Sequence, residues 1–227
     1  FFPYSKEKLG IKVSRNIEQC FEKNKPSVLL EFTRAESALA HARFACQNQV
    51  HPLIGTSGLK EKDFQELENL ARETGTGVMV VPNFSIGAVL MMEFARQAGA
   101  FFDNVEIIEM HGPKKLDAPS GTAMYTARKL DSQAKRYNPR GGEEKELLKG
   151  ARGALTDSGL RIHSLRLPGL ISHQDVIFGS PGELLEIKHS SFNTDCFLNG
   201  IELACNKIVG SRGLTVGLES LFNFYNP

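Results

Sequence analysis

The chain has 227 residues, 41% of them hydrophobic, which is enough for one large or two modest domains with filled cores. Lys and Arg number 27 against 26 Asp and Glu, so there is no global electrostatic case for nucleic acid or an anionic membrane, and any anion site must be local. No apolar run reaches the roughly 20 residues a membrane-crossing helix needs, and no membrane insertion is expected.

The opening FFPYSKEKLG has neither the apolar core of a signal peptide nor an Arg/Ser-rich transit pattern. It also lacks an initiator Met, which leaves room for a longer product. PSVLLEF at 26–32 is a short apolar run behind a turn-forming start and predicts a buried parallel strand. AESALAHARFACQ follows with helical spacing. VHPLIG at 50–55 predicts a second strand, LKEKDFQELENLARET a helix, GVMVV at 77–81 a third strand and SIGAVLMMEFARQAGAFF a helix. This alternation predicts right-handed strand-helix-strand units and an open parallel sheet.

The pattern changes after Asp103. VEIIEMH predicts a strand, PSGTAMYTARKLDSQAK a helix and YNPRGGEEKELLKGARG a long polar connection, with the charged stretch from Lys135 to Arg152 read as a solvated loop or a lid. LRIHSLRLPG, SHQDVIFGS and GELLEIKHSS alternate polar with apolar residues, as antiparallel strands with one wet face do. TDCFLNGIELACNKIVG predicts a closing helix and GLTVGLESLF a short helical tail. A parallel half joined to a mixed or antiparallel half predicts two lobes, and no internal repeat is present.

Three strand ends converge at the carboxyl edge of the parallel half, where open α/β sheets bind ligands. They are Phe32, Thr33 and Arg34; Gly55, Thr56, Ser57 and Gly58; and Pro82, Asn83, Phe84 and Ser85. A Gly-rich strand-to-helix turn lets backbone amides approach a phosphate or ribose, and it also serves merely to redirect the chain. Arg34 suits a phosphate or an adenine face, with an exposed structural arginine as the plain alternative. His111 and Lys115 lie four apart, but Pro113 argues for a loop rather than a helix between them. Asp117 is a candidate cap, Pro119 suits a first helical turn, and Ser120, Gly121 and Thr122 offer amides and hydroxyls at a helix start. Cations beside helix-start donors make a carboxylate pocket.

His163, His173 and His189 fall in or at the end of the later strands, where packing or an interface is the default reading. His41 and His51 lack ligand companions. No cluster has metal spacing, so no metal is expected. Cys20, Cys46, Cys196 and Cys205 show no paired spacing and are expected as buried free thiols in a reducing compartment.

EMHGPKKLDAPSGTA at 109–123 resembles the signature E-x-H-H-x-x-K-x-D-x-P-S-G-T-A of the 4-hydroxy-tetrahydrodipicolinate reductase (dihydrodipicolinate reductase) family. GTSGL, VPNFSIG and LEFTR look like that family's nucleotide-edge motifs, and SLRLPGLISHQDVIFGSPGE looks closest to cyanobacterial and plastid members. The similarity runs from about residue 10 to 224. The fold it implies is a Rossmann-like parallel-sheet nucleotide domain over 1–84, an α+β substrate and oligomerisation domain with a mixed sheet over 85–208, and a tail, 209–227, that returns to the nucleotide domain. The activity it implies is reduction of an unsaturated cyclic dicarboxylate of lysine biosynthesis with NADPH or NADH, in a homotetramer of the cytoplasm or plastid stroma. By the same resemblance Lys115 donates a proton with His111 beside it, and Ser120, Gly121 and Thr122 grip a substrate carboxylate. Phe32, Arg34, Gly55, Thr56, Ser57, Pro82, Asn83 and Phe84 line the dinucleotide.

The chain departs from this pattern in three ways. The family's opening strand and GxxGxxG loop have no counterpart in the sequence, its second signature His is Gly112, and the arginine ahead of its closing helix is Thr194. Each lost charge-assisted contact to a buried carboxylate costs about 1.5–3 kcal/mol. These departures define an alternative function, a catalytically impaired reductase-like paralogue acting as an assembly factor, for example for the chloroplast NADH dehydrogenase-like complex.

Overall fold

Residue 10 and residues 12–139 and 145–222 are described by the computed structural model. The first sheet is built from β1 (Val28–Glu31), β2 (His51–Ile54), β3 (Gly77–Val80) and a last strand, β9 (Gly213–Val216), in the order β1-β2-β3-β9 and all parallel. Alternation along β3 sorts its side chains. Val78 and Val80 face a core of Ala38, Ala42, Cys46, Leu67 and Ala71, contributed by α2 (Ala35–Gln47) and α3 (Glu61–Thr74). Met79 faces the other core, shared with α6 (Leu198–Ile208). In α3 the Asp63 carboxylate reaches back to accept the Lys60 backbone N–H at 2.7 Å, and Gly75, at φ 68°, ends the helix in the left-handed region that glycine adopts without strain.

The helix α4 (Ile86–Gly99) starts at this sheet's edge, where Ser85 Oγ accepts the Ala88 N–H. It is apolar on most sides and runs under a second sheet of order β5-β6-β4-β7-β8. Those strands are β4 (Asn104–His111), β5 (Ala154–Leu155), β6 (Arg161–Arg166), β7 (Ser172–Ser180) and β8 (Glu183–Ser191). Val105, Ile107, Ile162, Val176 and Phe178 are buried against α4 and α5 (Gly121–Asp131). Beyond the apolar rung Ile162, Ile107, Val176 and Ile187, the same face turns polar for its last two rungs.

Several expectations change. β6 pairs with β4 in parallel rather than antiparallel, because a long connection from α5 brings the chain back to the same end of the sheet. GLTVGLESLF is not a helical tail: its first residues are β9, hydrogen-bonded beside β3, followed by a short 3-10 turn at Glu219–Leu221. The closing helix is split into a 3-10 turn, Thr194–Phe197, and α6. α5 begins at Gly121 with Ser120 as its cap, so Pro119 precedes the helix and Asp117 does not cap it. An additional helix, α1 (Ile17–Asn24), was not expected. Residues 140–144 of the polar connection, on which the lid reading falls, lie outside the described residues. Among the described residues no helix is long and apolar enough to cross a membrane, and all four cysteines are unpaired, with Cys46 buried and the other three half-buried.

Two close fits hold the lobes in place. At Gly200 in α6 an added Cβ would lie 1.9 Å from the carbonyl oxygen of Phe84, so the helix can touch the turn after β3 only without a side chain. In the second sheet, Glu109 is 0% exposed and accepts from Arg166 Nη1 at 3.0 Å and Nη2 at 2.8 Å. The same guanidinium donates to the carbonyls of Lys115 at 3.2 Å and Asp117 at 2.7 Å, which ties the loop between β4 and α5 to the sheet.

Gly200→Ala is expected to lower the denaturant midpoint by displacing α6, a cost of about 1–3 kcal/mol for overpacking, whereas at Gly179 an added Cβ meets only Leu184 Cδ2 at an ordinary 3.5 Å. Arg166→Leu strands a buried carboxylate and is expected to cost about 3–5 kcal/mol in equilibrium unfolding; a variant as stable as the parent would show that Glu109 needs no countercharge.

Candidate active site between the two sheets

The sheet edge is set first by the turn after β1. Glu31, buried at the strand end, accepts the Thr33 N–H at 2.7 Å and the Thr33 hydroxyl at 2.5 Å, with His41 Nδ1 2.6 Å from its other oxygen. Burial alone would raise the Glu31 pKa, but these hydrogen bonds outweigh it and hold the carboxyl below its usual range. The turn therefore holds Phe32 where its ring, 52% exposed, meets that of Phe84 at 5.4 Å between centroids. Gly55 lies under both rings, and a Cβ there would come within 2.3 Å of Phe32 Cε1 and 2.8 Å of Phe84 Cε2. The buried Thr56 hydroxyl donates to the Glu31 carbonyl at 3.3 Å. Ser57 is exposed, and Arg34 is an exposed residue at the N-cap of α2 whose side chain makes no cap bond.

Two adjoining cavities open from this edge. One, of about 350 Å³, runs from Phe32, Gly55, Pro82 and Asn83 past His111, Ser120 and Thr122 to the polar end of the mixed sheet. The other, of about 550 Å³, runs along Gly55, Thr56, Ser57 and Gly58 and reaches Lys115, Ser120, Gly121 and Thr122. Asn83 joins the walls: its Oδ1 accepts the Ser85 N–H at 2.9 Å and its Nδ2 donates to Thr122 Oγ1 at 3.3 Å, so the starts of α4 and α5 are held together. Of the site residues that the family resemblance implies, all but Arg34 line at least one cavity, whereas Thr33, Asp117 and Pro119 line neither.

Glu109 organises the polar centre. His111 Nδ1 lies 2.5 Å from Glu109 Oε2, and the Ser120 N–H donates to Oε1 at 3.3 Å. Burial would raise the Glu109 pKa, yet hydrogen bonds from Arg166, Ser164 and His111 bring it below the ordinary carboxylate value. His111 is pushed down, chiefly by burial and then by Lys115 and Arg166, against the opposing pull of Glu109. A neutral ring that donates Nδ1–H to Glu109 leaves Nε2 as an acceptor. Lys115 Nζ donates to Asp117 Oδ1 and Oδ2, both at 2.9 Å, at the rim of the second cavity. At the tip of α5, Ser120 Oγ takes the Ala123 N–H, and the amides of Gly121 and Thr122 remain as the helix's first donors.

Glu109 and Arg166 are the residues that motif reasoning left without a role. The available signal was strand periodicity: Glu109 stands two before His111, hence on the same face of β4. The partner Arg166 comes from cross-strand register with β6, which spacing along the chain does not reveal. Gly112, where a Cβ would sit 3.0 Å from the Leu170 carbonyl oxygen, leaves little room for a side chain, and Thr194 is exposed and lines neither cavity. Among the described residues no three His, Cys, Asp or Glu side chains are grouped as for a metal ion.

Comparison with known proteins agrees with this geometry. The family models described as "Dihydrodipicolinate reductase, N-terminus" and "Dihydrodipicolinate reductase, C-terminus" match residues 3–84 and 87–222. The 4-hydroxy-tetrahydrodipicolinate reductase of Bacillus subtilis is 43% identical over 208 residues, covering 92% of this chain and 78% of the relative. That of the cyanobacterium Nostoc punctiforme is 44% identical over 196 residues, covering 86% and 70%. A dipicolinate-bound dihydrodipicolinate reductase from Paenisporosarcina sp. TG-14 superposes with a TM-score of 0.85 at 43% identity, over 92% of this chain and 78% of the other. An amine dehydrogenase from Mycobacterium smegmatis, 12% identical with a TM-score of 0.62 over 98% and 83%, shares the fold alone. With both halves matched and the signature loop, its helix tip and the sheet edge gathered on adjoining cavities, the chain belongs to the dihydrodipicolinate reductase family.

Proposed function

We propose that the chain reduces 4-hydroxy-tetrahydrodipicolinate to tetrahydrodipicolinate, taking up hydride from NADPH or NADH and a proton and releasing the ring hydroxyl as water. The observation that carries this reading is the meeting of Lys115, His111 and the free amides of α5 with the carboxyl edge of the parallel sheet. The described strand ends fit a nicotinamide dinucleotide. Phe32 and Phe84 give an apolar wall, Gly55 keeps the turn flat beneath them, Ser57 is exposed, and Gly58 at φ 88° has no side chain to block an approach. Phe32, Gly55, Thr56, Ser57, Pro82, Asn83 and Phe84 would hold that group, with exposed Arg34 at the same edge. When bound, the cofactor supplies the hydride.

The protein's own residues supply position, charge and the proton. The Gly121 and Thr122 amides, at the positive end of α5, bind one substrate carboxylate, and Ser120 fixes them by capping the helix. Lys115 supplies the transferable proton from Nζ, and its partner Asp117, on the exposed side, holds the amine in place until an incoming carboxylate competes for it. His111 is oriented by Glu109 so that Nε2 accepts a hydrogen bond beside the reacting ring. The helix tip and the anchored imidazole together fix the approach of the two reactants.

The second sheet also supports a homo-oligomer, a tetramer by family resemblance. α4 and α5 cover one of its faces, while Leu184 and Leu165 project exposed from the other.

Thermal melting tests binding. NADPH followed by pyridine-2,6-dicarboxylate, each at about 100 times its Kd, is expected to add about 2.7 kcal/mol per ligand, or roughly 5–10 °C; no shift with either ligand would remove the reductase reading. Lys115→Ala is expected to reduce kcat by about 100-fold or more while the diacid still binds, and hydride transfer at the parental rate would take the lysine out of the chemistry.

A further inference from the structure

The inner face of the mixed sheet ends in two polar rungs. Register places Arg166, His111, Ser172 and Ser191 side by side in the last, and Ser164, Glu109, Gln174 and His189 in the one before it. The half on β4 and β6 is occupied by the Glu109 network. The half on β7 and β8 is not, although Ser172, Gln174, His189 and Ser191 all line the 350 Å³ cavity, opposite the tip of α5.

These groups are short of partners. The hydroxyls of Ser172 and Ser191 make no hydrogen bond to any described residue, and Ser191 is only 5% exposed. Gln174, 3% exposed, donates Nε2 to Thr126 Oγ1 at 2.7 Å and leaves Oε1 buried and unsatisfied. The Thr126 hydroxyl donates its own proton to the Thr122 carbonyl at 2.9 Å, so it accepts from this amide and fixes which end meets it. His189 Nε2 lies 3.1 Å from Ser85 Oγ, and its Cδ2–Nε2 edge lies against Gly87, where a Cβ would come within 2.8 Å of Cδ2. Ser85 Oγ accepts the Ala88 N–H, and the tautomer in which Nε2 takes the Ser85 proton carries the ring's own proton on Nδ1. Among the described residues, no Asp or Glu lines this cavity. Burial, and then His173, push the His189 pKa down, and an anion beside the ring opposes that shift.

Two hydroxyls without partners beside an imidazole, in a cavity that no described carboxylate lines, suit an anionic guest. One helix tip serves one carboxylate, and a ring acid substituted at both sides of its nitrogen carries two. We propose that Ser172 and Ser191, with His189 behind them, receive the second carboxylate of the substrate, opposite the one at the Gly121 and Thr122 amides. Cross-strand neighbours stand about 4.5–5.5 Å apart at Cβ, close enough for two hydroxyls to converge on the two oxygens of one carboxylate. This assignment rests on the reductase reading and goes beyond it by naming the residues that make the site demand a diacid.

Calorimetric titration with pyridine-2,6-dicarboxylate and pyridine-2-carboxylate tests it. The parent chain is expected to prefer the diacid by about tenfold or more. Both the Ser172→Ala/Ser191→Ala double variant and His189→Leu are expected to lose most of that ratio through weaker diacid binding, with monoacid affinity unchanged. An undiminished ratio in either variant, equal weakening of both acids, or no preference in the parent overturns the subsite and leaves the reductase reading standing. A parent chain that binds neither acid overturns both.

Discussion

Glu109 has no contact with solvent, and its charge persists because one guanidinium meets both of its oxygens. A buried ion pair is seldom a net source of stability, since desolvation offsets most of the attraction. Here it has a positional consequence. The carboxylate fixes His111 and the first amide of the α5 tip, while the guanidinium spends its other donors on the carbonyls of Lys115 and Asp117. Imidazole, amine and helix start are thus referred to a single point on β4, although the loop that carries two of them has no regular secondary structure. The geometry of the site is as firm as that pair.

The parallel sheet enters through different contacts. Asn83 hydrogen-bonds to the starts of both α4 and α5, and Gly200 brings α6 against the backbone of Phe84. A ligand spanning the two cavities therefore meets walls that share their anchors. On the inner face of the mixed sheet polar residues are confined to the two rungs that face this junction, and the rungs behind them are apolar. This sharp change lets a wet site border a dry core, because each buried polar group in it has a partner or faces the cavity.

Much of this was legible in the chain itself. The strand-helix alternation of the first half shows in its apolar periods, and the helix over Ala35–Gln47 and the strand over Ser172–Ser180 match their predicted spans. Most candidate residues of the signature loop and of three strand ends, though not Thr33 or Arg34, fall on adjoining cavities because open parallel sheets gather their carboxyl-terminal turns on one edge. What the sequence concealed was set by distant pairing. GLTV reads as weakly as a helix as it does as a strand, and the open flank of β3 decides it. The parallel sense of β6 depends on where the chain re-enters the sheet, and the role of Glu109 depends on Arg166, 57 positions away. Asp117 has the composition of a cap, but Lys115 engages it and Ser120 does the capping.

The last strand of the parallel sheet, β9, comes from beyond the whole second lobe, with Val216 beside Val80. During synthesis, β3 must therefore wait with one flank unpaired until almost all of the chain has emerged. Such long-range closure slows folding and leaves an edge open to wrong partners. It also makes the two lobes a single cooperative unit: truncation just before Gly213 would strip a strand from the N-terminal sheet, so the halves are poor candidates for separate expression.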